Sequence, residues 1–109
     1  MKIINNHILP FGKNYIAINL FGVVFAKRRL SERDQNHEHI HTYQQLEMLF
    51  VFFFIWYVIE WFVRVIQYRG WEKGYLQISF EREAYSNEHN LHYLHHRKPF
   101  AWLKYLVGG

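Results

Sequence analysis

The sequence predicts an α+β fold that is mostly helical. A β-branched and aromatic run over residues 14–27 follows Pro10 and Gly12, the stretch from Ser31 to Arg69 contains neither Gly nor Pro, and a further helical pattern over residues 79–98 stops at Pro99. With 109 residues, 50% hydrophobic and 20% aromatic, the chain can form one compact core, and disorder is not expected. No internal repeat or low-complexity linker divides it, so residues 1–109 read as a single domain.

The elements follow in order. Residues 14–27 end at the basic turn Lys27-Arg28-Arg29 and read as a strand or hairpin within a region spanning residues 1–30. Ser31-x-x-Asp34, or Asp34 itself, offers an N-cap for the pattern over residues 31–69, which Gly70 terminates as one long helix or as two with a kink. A straight helix from His41 to Ile66 would rise about 38 Å. Residues 70–81, fully extended, return at most about 36 Å, so a kink or a nearly straight return is needed to bring the two helical segments together. Residues 71–78 carry no clear pattern. Ser79 is the expected cap of the helix over residues 79–98, and residues 101–107 form a short amphipathic tail.

Composition narrows the chemistry. There is no cysteine, which excludes disulfides and thiolate ligands and leaves His, Glu, Asp or backbone oxygens to hold any metal. The formal charge of +4 draws on Lys27-Arg28-Arg29 and on His95-His96-Arg97-Lys98. Such clusters suit nucleic acid or anionic lipid; the aromatic surroundings favour lipid, and no nucleic-acid partner is expected. Met1-Lys2 leads into Ile3-Ile4-Asn5-Asn6-His7 without the apolar stretch of a secretory signal, so a cytoplasmic or membrane-associated location is expected.

His37-Glu38-His39-Ile40-His41 matches the pattern His-Glu-x-x-His. Residues four apart share a helix face, so His37 and His41 can reach one ion while Glu38 holds the water that the metal activates. Zinc lowers the pKa of such a water to about 7, and the carboxylate takes its proton. For eight His and eight Glu in this length, chance supplies about 0.04 such matches, which gives the motif weight against a metal-free, His-rich helix start. His39 falls off the face and reads as a surface residue.

A catalytic zinc needs a third protein ligand. Glu47 sits six residues beyond His41, but a chain that continues as helix through Gln44 turns it away. Glu81 is the better candidate, because Ala84, one turn on, lets the two helices approach. This combination of His-Glu-x-x-His with Glu81-Arg82-Glu83-Ala84-Tyr85 resembles the gluzincin arrangement. There the second helix bears Glu-x-Glu-Ala-Asp or Glu-x-Glu-Ala-Asn, as in ImmA/IrrE-type proteases, or Glu-x-x-Ala-Asp, as in membrane zinc proteases that process prenylated proteins. The stretch from Asn36-His37-Glu38 through Gln44-Gln45-Leu46-Glu47 to Phe80–Tyr85 also resembles a group of small Bacteroidetes proteins. The resemblance implies zinc held by His37, His41 and Glu81, with Glu38 as general base and a peptide or protein substrate. Tyr85 stands where the family has Asp or Asn. Glu81, Tyr85, Glu88, His92 and His95 would share one polar face of the second helix, from which Tyr85 or His92 could polarise a substrate carbonyl. Tyr85 is the stronger candidate; His89, His95 and His96 read as solvated surface.

Two other functions fit parts of this pattern. Glu38-x-x-His41 with Glu81 and Glu88 suggests a carboxylate-bridged di-iron site, although such bundles use a second Glu-x-x-His and Glu88 offers only His92 at i+4. A non-catalytic membrane-associated scaffold could instead use zinc to pin two helices, with His92 as a fourth ligand.

Residues 48–59 are apolar without interruption, and Glu60 and Arg64 follow at the spacing of a helical ion pair. Extended through Ile66, the stretch approaches the ~20 residues of a membrane span. A full crossing would strand His41 and Glu81 on opposite sides, because residues 67–80 carry Arg69, Glu72 and Lys73 and cannot cross back. Trp56, Tyr57, Trp61, Tyr68 and Trp71 suit a helix lying in the headgroup region, or a homodimer seam. The core helix of a soluble domain is the competing expectation.

Overall fold

The computed structural model describes residues 2–6 and 17–107. The fold is α+β and mostly helical. Strands β1 (Lys2–Asn5), β2 (Ala17–Leu20) and β3 (Val23–Ala26) form a sheet in the order β1-β3-β2. β2 and β3 pair antiparallel as a hairpin inside the predicted 14–27 region, of which residues 14–16 lie outside the described residues. Phe21 (φ 58°) and Gly22 (φ 82°) make the turn, the pair of positive φ angles that matches strand twist in a two-residue hairpin. β1, which the sequence did not signal, runs parallel to β3 with Lys2 opposite Val23. Val24 and Ala26 point inward and pack with Leu30, Ile3 and Ala17.

Helix α1 (Glu32–Glu47) starts at a capping box: Ser31 Oγ accepts from the Asp34 amide at 3.1 Å, and Asp34 Oδ2 accepts from the Ser31 amide at 3.3 Å. Of the two forms expected over residues 31–69, one long helix or two with a kink, the chain takes the second. After Met48 the chain turns through Leu49 (φ 53°) and Phe50 (φ 59°) before α2 (Val51–Tyr68) begins. Left-handed conformations at bulky residues are strained by about 1–3 kcal/mol each. They persist because the Phe50 amide donates to the Gln45 carbonyl at 2.7 Å, the Phe50 ring meets Phe21 at 5.4 Å, and Glu47 is anchored by Arg97 and by the Phe100 amide. The break is also a matter of size: an unbroken helix of about 38 Å would exceed the largest extent of the molecule, 33 Å.

α2 ends at Arg69, and α3 (Trp71–Leu76) forms in the segment where no element was predicted. Gly74 lets α3 lie directly on α2, since a Cβ there would fall 2.6 Å from the Val65 amide nitrogen. α4 (Ser79–Asn87) is shorter than the predicted 79–98 helix, and its cap differs. Ser79 is not the N-cap; its amide and hydroxyl donate to the Glu60 carboxylate of α2 at 2.7 and 2.5 Å, so a distant side chain satisfies the helix start. At the other end the Asn36 side chain donates to the carbonyls of Glu88 and Asn90 at 2.9 and 3.0 Å, fixing the point where the helix unwinds. A short helix α5 (Tyr93–His96) and a 3₁₀ turn (Ala101–Tyr105) complete the chain. The apolar core, Phe53, Ile78, Phe80 and Trp102, joins α2 to α4 and the 3₁₀ turn.

Candidate metal centre

The two histidines face α4 from the middle of α1, and the core around Phe80 places Glu81 opposite them. All three side chains are buried. His37 Nε2 lies 3.2 Å from Glu81 Oε1, His41 Nε2 lies 3.0 Å from the same oxygen, and the two Nε2 atoms are 3.1 Å apart. Three donor atoms thus converge on one point, and among the described residues they are the one group of this kind.

The protonation pattern of the rings follows from their outer partners. Gln44 donates its amide N–H groups to the Phe80 carbonyl at 3.1 Å and to Glu83 Oε1 at 2.9 Å, which turns its carbonyl oxygen toward His41 Nδ1 at 2.8 Å. Nδ1 must then carry the proton, and in a neutral ring Nε2 presents a lone pair. The Glu88 carboxylate sits 3.7 Å from His37 Nδ1 and favours the same tautomer there. With both rings neutral, two lone pairs and a carboxylate oxygen meet at this point, an arrangement that a cation, either a proton or a metal ion, resolves. Donors about 2.1 Å from a tetrahedral zinc stand about 3.4 Å from one another, a few tenths of an ångström wider than the spacings found, so the residues fit such an ion after a small adjustment. Glu81 is oriented in turn by Tyr57, whose hydroxyl donates to Oε2 at 2.7 Å. Each of the three donors has an outer partner of the kind that tunes a ligand.

The electrostatics point the same way. Burial disfavours charge on His37, but the Glu81 and Glu88 carboxylates overcome it and push the imidazole up to about 10. Burial is outweighed at Glu81 as well, where His41 and His37 hold the carboxyl far below the usual range. The space between these groups is built to hold positive charge, supplied either by protons or by a metal.

Glu38 is buried beside the rings. Its backbone carbonyl accepts from Asn19 and Thr42 at 2.8 and 3.2 Å, while its carboxylate has no hydrogen-bond partner among the described residues. Burial raises this carboxyl against the pull of His41 and His37. It borders a cleft of about 450 Å³, with His41 and Glu81 at the same end, β2 along one wall and Phe53, Phe54 and Tyr57 of α2 along the other. Gln45 borders it too: its amide N–H donates to the Asn19 carbonyl at 2.9 Å, and its buried Oε1 has no partner among the described residues.

No family model matches this chain, and neither a curated protein nor a solved structure matches it. The site is read from its own geometry.

The remaining predicted residues divide. Tyr85 reaches the site by its ring, edge-on to His37 at 4.5 Å, while its hydroxyl lies 3.4 Å from that of Tyr75. His92 and His95 do not share a face with Glu81, because α4 ends at Asn87 and both are exposed. Glu88 lies on the far side of His37 from the converging donors. Glu47 points away to Arg97 and the Phe100 amide. Glu83 pairs with a basic residue, though it is fully buried rather than exposed: Arg97 donates to it at 2.5 and 3.0 Å and Tyr93 at 2.6 Å. Sequence reasoning missed the roles of Gln44, Tyr57 and Asn36. Gln44 was within reach of it, standing three residues after His41 on the same face; Tyr57 comes from another helix and left no signal.

Proposed function

We propose that this protein is a small zinc-dependent hydrolase of peptide bonds with a gluzincin-like ligand set of His37, His41 and Glu81. The observation that carries this reading is the convergence of His37 Nε2, His41 Nε2 and Glu81 Oε1 within 3.2 Å beside an open cleft that Glu38 borders. Zinc held there supplies Lewis-acid polarisation of a carbonyl and a water of lowered pKa. Glu38 is the base: its carboxylate is close to the ligands, without a hydrogen-bond partner among the described residues, and able to take a proton and return it to the leaving amine. Tyr57 and Gln44 keep the ligands in place. The β2 strand and the Gln45 oxygen, along the cleft wall, offer polar groups to align an extended peptide. Tyr85 shields His37 with the edge of its ring, and its hydroxyl lies beside that of Tyr75, which borders the cleft.

A purely structural zinc is the competing role, and it calls for a fourth protein ligand. Among the described residues three donors converge, and His92 is exposed elsewhere, which supports an open coordination position.

The test pairs metal analysis with peptide turnover. The purified protein should carry one zinc ion per chain and cleave a mixed peptide pool, and Glu38→Gln should keep the zinc and lose cleavage. Loss of metal in Glu38→Gln would make Glu38 a ligand and revive the di-iron reading. A zinc-loaded wild-type protein without turnover would leave only the structural role.

A further inference from the structure

Helix α2 is amphipathic in the wrong sense for a protein surrounded by water. Val51, Phe52, Ile55, Ile59, Phe62 and Ile66 are each more than half exposed. On a helix of 3.6 residues per turn these six fall within an arc of about 100°. The opposite side carries Glu60 and Arg64, and those face the protein: Glu60 holds the start of α4, while Arg64 donates to Glu60 at 3.2 Å and to the Leu106 carbonyl at 2.8 Å. A surface helix in water turns its apolar stripe inward and its charges out. Here the charges are inside and the stripe is bare, although α2 is long and apolar enough by composition to enter a membrane.

We infer that the outer face of α2 docks on an anionic lipid bilayer, lying in the headgroup region with its apolar arc toward the acyl chains. This stands apart from the metal site and holds whether or not the protein is a hydrolase. The inner side of α2 favours surface docking over a crossing, because α3 rests on it through Gly74 and α4 is tied to Glu60 at its middle, and both would have to enter the bilayer with it. The end of the stripe has the composition of a lipid interface, with Tyr68 and Trp71 exposed beside Arg69 and Lys73. Against one acid there, Glu72, two cations leave that end positive, and the chain as a whole carries +4. Anionic headgroups meet this charge; a second copy of the chain would bring the same positive surplus and no acidic side chain along the stripe itself. Insertion of the arc contributes through burial of apolar area, and the cations add attraction that salt weakens.

Flotation with vesicles of phosphatidylglycerol and phosphatidylethanolamine, against vesicles of phosphatidylcholine alone, tests the inference on the full chain. The protein should float with the anionic vesicles, bind the neutral ones more weakly, and come off in alkaline carbonate. Ile59→Glu with Ile66→Glu should lower the bound fraction more than tenfold, with an unchanged circular dichroism spectrum and unchanged metal content showing that the fold is intact. Three results would overturn it: a wild-type chain that stays with the soluble fraction, a dimer in sedimentation that the double variant dissociates without any vesicle uptake, or retention in carbonate with release by detergent alone.

Discussion

The α1–α4 contact and the outer face of α2 invert the usual polarity of a small domain in opposite ways. Where α1 meets α4, Asn36, His37, Glu38, His41 and Gln44 are buried against Glu81 and Glu83. On α2 only Phe53 and Glu60 are buried, and most of its apolar side chains touch no neighbour that would hide them. Buried polar groups without partners cost about 2–7 kcal/mol each, so an interior of this kind survives only as a connected network. That network exists around the histidines, and its unresolved point is the meeting of Nε2, Nε2 and Oε1. Neither region is arranged for stability alone. The apolar core of Phe53, Ile78, Phe80 and Trp102 lies between them and holds both in place.

Breaking the polar region at its most charged point should have the largest effect. Arg97 links Glu83 and Glu47, with 3% of its side chain exposed, so Arg97→Met leaves two carboxylates without their cation and should lower stability by about 3–5 kcal/mol in urea unfolding. The same cluster sets an acid limit. Burial would raise the Glu83 carboxyl, but Arg97, Tyr93 and Gln44 hold it below its ordinary value. A lowered folded-state pKa contributes stability that is present above the ordinary value of about 4.3 and is lost as pH falls through the folded one. Urea midpoints should therefore drop as pH falls below the ordinary carboxylate range, and the drop should be shallower in Glu83→Gln.

Next in size is the metal site. Glu81→Ala removes one of three converging donors and should weaken zinc more than any change in an outer partner, read by competition with a chromogenic chelator. Gln44→Leu keeps the ligands but frees the His41 ring, for an expected loss of about 10–100-fold in affinity. Equal affinities in these two variants would show that the donors do not act as ligands. The smallest effect belongs to the outer face: Ile59→Glu should change stability by no more than about 0.5 kcal/mol, because the side chain is 61% exposed. A large loss there would mean that the stripe is packed against something in the folded chain, and the contrast between the two regions would fail.

Local signals in the sequence were legible and distant ones were not. The capping box at Ser31, the i,i+4 pair His37 and His41, the Glu60–Arg64 pair and the hairpin all depend on neighbours within a few residues, and each could be read directly. Glu81 was reached through motif resemblance and the small Ala84. The need for a break in the 31–69 segment could be read from chain lengths, but its place at Leu49 and Phe50 could not, since neither residue favours a positive φ and the compensation comes from Phe21, Arg97 and the Phe100 amide. The start of α4 at Ser79 was legible, although the group that satisfies it, Glu60, was not, and its finish was hidden because Asn36 sets it from another helix. The burial of Glu83 left no local signal, because its partner, Arg97, lies beyond the end of α4.

The tie between Glu60 and Ser79 also orders events in time. His37 and His41 are set by α1 alone and can be side by side as soon as that helix forms. Glu81 cannot join them until α2 has packed, because the start of α4 depends on a carboxylate nineteen residues upstream. Contacts between residues far apart in the chain carry the larger loop-closure penalty and tend to form late in folding. If the His–Glu81 contacts form on the native side of the barrier, a metal bound there should slow unfolding and leave the folding rate nearly unchanged, which stopped-flow folding with and without zinc would read.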